Sequence, residues 1–310
     1  MERLRRRLPA AAPGEIWIGD DAAVLVRPPD AVVLTTDLTV AGVHGDLALI
    51  GLDDLGWRAL ARAVSDVAAM GAIADAVVVA VAGPPTTDLD LLYDGLAAAA
   101  DAHRCPVVGG DLSGAPELVV AVTAYGHMGP GPGPVRRDGA RPGDHLFVTG
   151  PVGGAAAGLR SLASARAQGH PAPRPEPDTG DPRRNAEMAH RRPRARLEEG
   201  DVARRSGATA MIDVSDGLLL DLFRLADASG VGFALEDVPV FATATLDDAL
   251  GGGDDYELVI ATEQADALVG AFTDAGLRPP CHLGVVVAER ARRTLDGRDV
   301  EPTGWEHTWD

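Results

Sequence analysis

ATAMIDVSDGLLLDLFRLADASG, residues 208 to 230, decides how the fold is read. ATAMID (208–213) is short and apolar and ends on an acid, as a strand does. DGLLLDLFRLADASG (216–230) is leucine-rich and closes on glycine, as a helix does. Between them, Asp213, Ser215 and Asp216 fall within four residues. One acid at such a junction is a helix cap. Two acids and a hydroxyl are a cap or a set of oxygen ligands for a cation.

The same alternation extends outward in both directions. AAVLV (22–26) and AVVLTT (31–36) read as strands, and GWRALARAVSDVAAMGA (56–72) reads as a helix. AVVVAVAG (76–83) is a near-continuous apolar run, which predicts a strand buried on both faces. TDLDLLYDGLAAAADAH (87–103) is a helix opening on a Thr/Asp cap. CPVVGGDLSG (105–114) is a strand broken by its glycine pair, and ELVVAVTAYGHM (117–128) is another strand. The Gly, Pro and Arg-rich loop GPGPGPVRRDGARPGD (129–144) predicts a boundary, with domains at 1–142 and 143–310. HLFVTG (145–150) and the small-residue helix GGAAAGLRSLASARA (153–167) resume the pattern. QGHPAPRPEPDTGDPRRN (168–185) reads as a polar surface loop. DYELVIAT (255–262), a helix over 263–276 and HLGVVVAE (282–289) complete it. Interleaved strands and helices in both halves favour an α/β or α+β fold over an all-helical one.

The chain has 310 residues, room for two domains of ordinary size, and its 46% hydrophobic content supports globular cores. No apolar run is long and charge-free enough to span a bilayer. The basic N-terminus MERLRRRLPAAAPGE lacks an apolar signal core and reads as the short leader of a cytoplasmic protein. A net charge of −18 repels a phosphate backbone and argues against nucleic acid as a partner. All 28 basic side chains are arginine. The absence of lysine excludes a GxxxxGK[ST] phosphate loop and a Schiff-base lysine. The basic run HRRPRAR (190–196) reads as a solvated helix face or loop. Cys105 and Cys281 have no CxxC partner and read as small core residues.

The acids recur at special places. Asp20 and Asp21 precede a strand, Asp37 ends one after Thr35 and Thr36, and Asp111 ends another after Gly110. Asp66 stands among Val and Ala inside a helix and needs a partner there. Asp254 and Asp255 follow three glycines. Each has a plain structural reading as a cap or turn residue. Clustered at one sheet edge, however, such oxygens suit a hard ion such as Mg²⁺. Mg²⁺ would also let an acidic protein take an anionic substrate.

The order of these motifs is more specific than any one of them. GDDAAVL, TTDLTVAGVH, GWRALARAVSDVAAMGA, VVGGD, RRDGARPGD, VTGPVGGAAAGL, HRRPRARLEEG, MIDVSDGL, GGGDDYEL and PTGWEH follow one another from about residue 18 to the C-terminus. In this order they resemble the thiamine-monophosphate kinase family. The wider superfamily includes aminoimidazole ribonucleotide synthetase, selenophosphate synthetase and a hydrogenase maturation factor. The resemblance implies a two-domain aminoimidazole ribonucleotide synthetase-like fold whose N-terminal sheets pair across a homodimer. It implies transfer of the ATP γ-phosphoryl group to thiamine monophosphate, assisted by several Mg²⁺ ions. Whether K⁺ is also needed is left open.

The resemblance also assigns roles. Asp21, Thr35, Thr36, Asp37, Asp66, Asp111, Asp213 and Asp216 match metal positions. Tyr93, Gly110, Asp111, Arg137 and Ser215 match ATP contacts. His44, Asp254 and Trp305 match contacts to thiamine phosphate. Four positions depart from the family pattern: Ala41 replaces an acid, Ala63 an asparagine, Gly154 an aspartate and Asp254 a glutamate. Ala41, Ala63 and Gly154 motivate an alternative, a non-catalytic Mg²⁺-dependent binder of nucleotide or thiamine phosphate. A superfamily kinase or synthetase with a different acceptor is a further alternative. Against the latter, the chain has no reactive cysteine near its N-terminus and ends in GWEHTWD.

Overall fold

The computed structural model describes residues 31–169 and 180–306. The expected strand AAVLV (22–26) and the basic N-terminal segment lie outside the described residues. The chain divides into two compact units, Met1–Val67 with Ile73–Gly129, and Ala68–Ala72 with Pro130–Asp310.

The first unit holds strands β1 (Val32–Val40), β2 (Ile73–Gly83), β3 (Val107–Gly114) and β4 (Val119–His127), with helices α1 (Leu52–Ala69) and α2 (Leu89–Ala102). The sheet order is β1-β4-β2-β3. β2 and β3 are parallel, whereas β4 is antiparallel to both its neighbours. Asp88 caps α2 by accepting from Leu91 N–H at 3.2 Å, as the Thr/Asp signal predicted. α1 and α2 approach backbone to backbone. A Cβ on Gly56 would stand 2.2 Å from the Leu92 carbonyl, and one on Gly95 would stand 1.8 Å from that of Asp53.

Three strand readings need correction. β2 is not buried on both faces, since Val78 and Ala80 alternate with the buried Val77, Val79 and Val81 and are exposed. β1 does not end at Asp37 but runs on through Leu38, Thr39 and Val40, which pair with Ala121, Val120 and Val119. β3 does not break at its glycines. After a one-residue register shift at Val108 it passes through Gly109 and Gly110 and stays paired with β2 as far as Gly114. Glycine is required at 110 because a Cβ there would lie 1.9 Å from the Val79 carbonyl. Asp37 and Asp111 are therefore strand-interior residues, placed by the pleat and not at a strand end.

The second unit holds β5 (His145–Val148), β6 (Ala208–Asp213), β7 (Gly232–Leu235), β8 (Leu258–Thr262), β9 (Cys281–Val287), β10 (Arg293–Leu295) and β11 (Arg298–Asp299). Its helices are α3 (Gly154–Ala167), α4 (Pro182–Arg191), α5 (Leu197–Arg205), α6 (Leu218–Ser229), α7 (Leu246–Gly251) and α8 (Ala265–Asp274). The seven strands follow the order β11-β10-β7-β9-β5-β8-β6. Alternate residues feed opposite cores. Leu146, Val148, Ile212 and Val259 pack with Leu218 and Leu222 of α6. Phe147, Met211, Leu258 and Ile260 pack with Val202 of α5 and Phe272 of α8. Burial on both faces explains why these strands read as unbroken apolar runs.

Two surface readings also change. The expected loop 168–185 yields to α4 from Pro182, because Asp181 accepts from Arg183 N–H and Pro182 fits the first helical turn. The basic run HRRPRAR is not a solvated face. His190 and Arg191 are buried, and Arg196 is tied to Glu257. Cys105 is a buried core residue, whereas Cys281 is only half-buried. Among the described residues no helix is long and apolar enough to cross a membrane.

Candidate functional site

In the first unit, the β1 pleat turns Thr35 and Asp37 to the side covered by α1. Thr35 Oγ1 donates to Asp66 Oδ2 of α1 at 2.6 Å. Arg62, one turn earlier on α1, stands 3.9 Å from Asp37. The acid inside the small-residue helix thus has a hydroxyl partner on the neighbouring strand. Thr36 points the other way and accepts from Thr123 at 3.0 Å.

Register separates Asp111 from this group. Asp37, Val122, Val79 and Gly110 lie on one line across the sheet. Asp111 lies one residue on, in line with Ala80, Ala121 and Leu38, so it faces the opposite side. Three strand spacings, roughly 14 Å, also intervene. Within one chain the structure does not bring Asp111 to Asp37. Its carboxylate instead accepts from Ser113 at 3.2 Å.

His44 sits in the turn after β1. Its Nδ1 lies 3.0 Å from the Val40 N–H, so Nδ1 accepts and the ring proton belongs on Nε2. Tyr93 is buried in α2, and burial pushes its phenol above the usual range. It is therefore a neutral hydrogen-bonding group. Asp20 and Asp21 lie outside the described residues.

In the second unit, β6 delivers the buried Asp213 at its end, opposite Leu258 of β8. The following loop is held by a residue that the sequence reading missed. Asp221 Oδ2 accepts from the N–H groups of Ser215, Asp216 and Gly217 at 3.0, 3.0 and 3.2 Å. The cap of α6 is thus neither Ser215 nor Asp216 but an acid reaching back from its first turn. Burial raises the Asp221 carboxyl to about 6, although the loop amides and Arg224 pull it down. Arg224 binds Asp221 at 2.9 Å and Asp216 at 2.5 Å. The signal was available, since an acid within LLLDLF raises the same question as Asp66 did.

The acidic turn before β8 packs against this loop. Asp254 N–H donates to the Ser215 carbonyl at 2.8 Å, and Tyr256 N–H to that of Val214 at 2.9 Å. Trp305 N–H donates to the Asp216 carbonyl at 2.9 Å, leaving its indole 57% exposed. Asp213, Ser215, Asp216, Asp254 and Trp305 are thereby gathered at one end of the sheet. Arg137 is not. Its carbonyl accepts from Ser229 at the far end of α6, a helix about 18 Å long.

The turn carries two left-handed non-glycine residues, Asp254 at φ +66° and Tyr256 at φ +51°. The Tyr256 hydroxyl donates to Asp254 at 2.7 Å. Asp255 accepts from Gly153 N–H at 2.5 Å and Ala155 N–H at 3.0 Å. Burial raises it to about 7, against the pull of those amides, and the neighbouring Glu257 and Asp254 add to the rise. Glu257 accepts from Thr149 at 2.5 Å and from both nitrogens of the Arg196 fork, at 3.0 and 2.5 Å. At the departure Gly154, a Cβ would meet the Phe241 ring at 2.9 Å, so the family's aspartate does not fit unless that ring moves.

The predicted metal positions are all oxygen donors, carboxylates with threonine hydroxyls beside them. That donor set fits a hard cation such as Mg²⁺ and not a thiol-seeking metal. Among the described residues no three His, Cys, Asp or Glu side chains close on a single ion position.

The AIR synthase related protein N-terminal domain model matches residues 19–128, and the corresponding C-terminal domain model matches residues 141–296. The thiamine-monophosphate kinase of Methanospirillum hungatei is 34% identical over 304 residues, covering 96% of this chain and 95% of its own. That of Mycobacterium tuberculosis is 35% identical over 301 residues, with coverages of 93% and 84%. The crystal structure of thiamine-monophosphate kinase from Stenotrophomonas maltophilia superposes with a TM-score of 0.80 at 32% identity, over 96% of each chain. A structure described as AaThiL complexed with AMPPCP and TMP gives 0.76 at 28% identity, over 94% of this chain and 92% of that one. With both domain models matched in order and such relatives spanning nearly its whole length, the chain belongs to the thiamine-monophosphate kinase family.

Proposed function

We propose that this chain transfers the γ-phosphoryl group of ATP to the phosphate of thiamine monophosphate, giving thiamine diphosphate. The observation that carries the reading is the junction of Asp213, Ser215 and Asp216. Main-chain hydrogen bonds tie it to Asp254 and Trp305, so proposed metal, nucleotide and acceptor positions share one end of one sheet. Kinship with curated thiamine-monophosphate kinases supports the choice of acceptor.

Asp21, Thr35, Thr36, Asp37, Asp66, Asp111, Asp213 and Asp216 are the proposed Mg²⁺ positions. Bound there, Mg²⁺ would offset repulsion between two anionic substrates and stabilise charge on the transferring group. The chain's own part is positioning. Tyr93, Gly110, Arg137 and Ser215 would orient the nucleotide, and Asp111 would serve it through metal. His44, with its proton on Nε2, would donate to the acceptor phosphate. Asp254 and Trp305 would hold the cationic, aromatic remainder of thiamine. The acceptor phosphate is already ionised at neutral pH, so no protein nucleophile or strong base is needed. Catalysis then rests on orientation and electrostatics.

The working unit is a cytoplasmic homodimer. The β1–β4 sheet supports this reading, since Val32, Leu34 and Leu38 are 56%, 68% and 56% exposed on the face away from α1. Exposed apolar faces of this kind mark interaction surfaces, and a second copy of the chain is the proposed occupant. The test of the reaction is to mix protein, thiamine monophosphate, ATP and Mg²⁺ and separate the thiamine phosphates by chromatography, with an EDTA control. Metal-dependent thiamine diphosphate with matching ADP is the expected result. Binding of both substrates without product would instead favour the non-catalytic reading that Ala41, Ala63 and Gly154 motivate.

A further inference from the structure

The acidic turn is held in an unfavourable backbone shape. Two left-handed non-glycine residues within three positions carry strain, which persists only where the surroundings over-determine it. Main-chain bonds to Val214 and Ser215 fix one side of the turn. The other side is fixed by Asp255, whose two oxygens take the Gly153 and Ala155 amides at the start of α3. A helix N-terminus stabilises a carboxylate. Here the arrangement also works in reverse, because the helix anchors the carboxylate and, through it, its neighbour Asp254.

We propose that Asp255 is a positioning residue for acceptor recognition: by gripping the α3 amides it holds Asp254 in the left-handed conformation that presents its carboxylate to thiamine monophosphate. This rests on the reading of Asp254 as an acceptor contact. Both oxygens accept from N–H groups, so the grip is complete only when the carboxyl is ionised. The charged groups acting on Asp255 are Glu257 and Asp254 along its own segment and Arg196 from the loop before α5. Asparagine at 255 keeps one acceptor but sets an NH₂ against one of the two amides.

The experiment compares wild type, Asp255→Asn, Asp255→Ser and Asp254→Ala in steady-state turnover, varying thiamine monophosphate and ATP separately from pH 6 to 8. The Asp255 variants should raise KM for thiamine monophosphate about tenfold, with KM for ATP unchanged and kcat within about threefold. The ratio of wild-type to Asp255→Asn acceptor kcat/KM should rise with pH across this range, which also cancels titration of the substrate's own phosphate. Asp255→Asn removes a buried charge and should fold. If its melting curve is broad, Asp255→Ser carries the comparison. If Asp254→Ala raises acceptor KM and neither Asp255 variant does, the positioning role alone is overturned. If Asp254→Ala leaves acceptor KM unchanged, the acceptor-contact reading fails and the proposal falls with it. Equal rises in KM for ATP and acceptor would mean a merely structural role and would also overturn it.

Discussion

At the scale of single residues, Asp66 shows what a sequence can disclose. An acid among Val and Ala on a helix must have a partner, and the partner is Thr35 across the gap to β1. Asp66→Asn keeps the size and one acceptor oxygen but removes the charge a cation would need. It should lower turnover about 100-fold or more while shifting the melting temperature by only a few degrees, measured by ADP release and calorimetry. Residual activity above about one tenth of wild type would refute a metal role for Asp66. Glu257 and Arg196 make the opposite case. Arg196 was read as part of a solvated run, yet its fork closes on a glutamate whose side chain is 5% exposed. Sequence alone could not pair them, because 61 residues separate the partners and an arginine run looks the same whether solvated or docked. Arg196→Met leaves Glu257 buried and uncompensated. The expected loss is about 3 kcal/mol by urea unfolding, the low end for such pairs because Arg196 is itself one-fifth exposed.

Elements were most legible where packing is two-sided. Strand β6 matches ATAMID residue for residue, since both cores demand apolar side chains along it. Legibility failed where a local signal competed with a distant one. The glycine pair in β3 looks like a break, but the strand continues through it, and the Val79 carbonyl of β2 admits only glycine at 110. The α6 lead-in looked self-capped, but Asp221 supplies the cap from within the leucine run. The acidic turn before β8 carries a prediction of its own. Its Asp255 titrates at about 7 in the fold, above the usual carboxylate range. The folded chain therefore holds that proton where the unfolded chain has lost it. Stability linked to this group is fully present below about pH 4 and is lost as pH rises to about 7, by at most about 4 kcal/mol. Urea midpoints at pH 5 and pH 8 should show a larger drop for wild type than for Asp255→Asn. Equal drops would mean that Asp255 is not the titrating group. The cost falls on the ionised form, the same form that grips both α3 amides, so the turn gives up stability for its shape.

For the molecule as a whole, the composition of the 129–144 loop points to a boundary after residue 142, whereas the two compact units of the structure part at Gly129 and Pro130. What composition could not show is that Ala68–Ala72, the end of α1 and its turn, joins the second unit. Arg204 explains this. Its buried guanidinium donates to the Gly71 carbonyl at 2.9 Å and to the carbonyls of Pro132 and Pro130 at 2.5 and 3.2 Å. The open sheet face was equally hidden, because β1 carries Val32, Leu34 and Leu38 beside Thr36 on the exposed side, and Thr35, Asp37 and Thr39 beside Val33 on the helix side. Ordinary one-sided sheets do the reverse. That inversion follows if the helix side serves polar chemistry and the other side is buried against a second copy. Leu34→Glu together with Leu38→Glu places two acids on the face of a chain that is already strongly negative. In a symmetric interface each substitution is presented twice. Analytical ultracentrifugation should find wild type at twice the chain mass and the double variant at the chain mass. A dimer that survives both acids would mean that another surface joins the copies, and a monomeric wild type would mean that something other than a second copy covers the face.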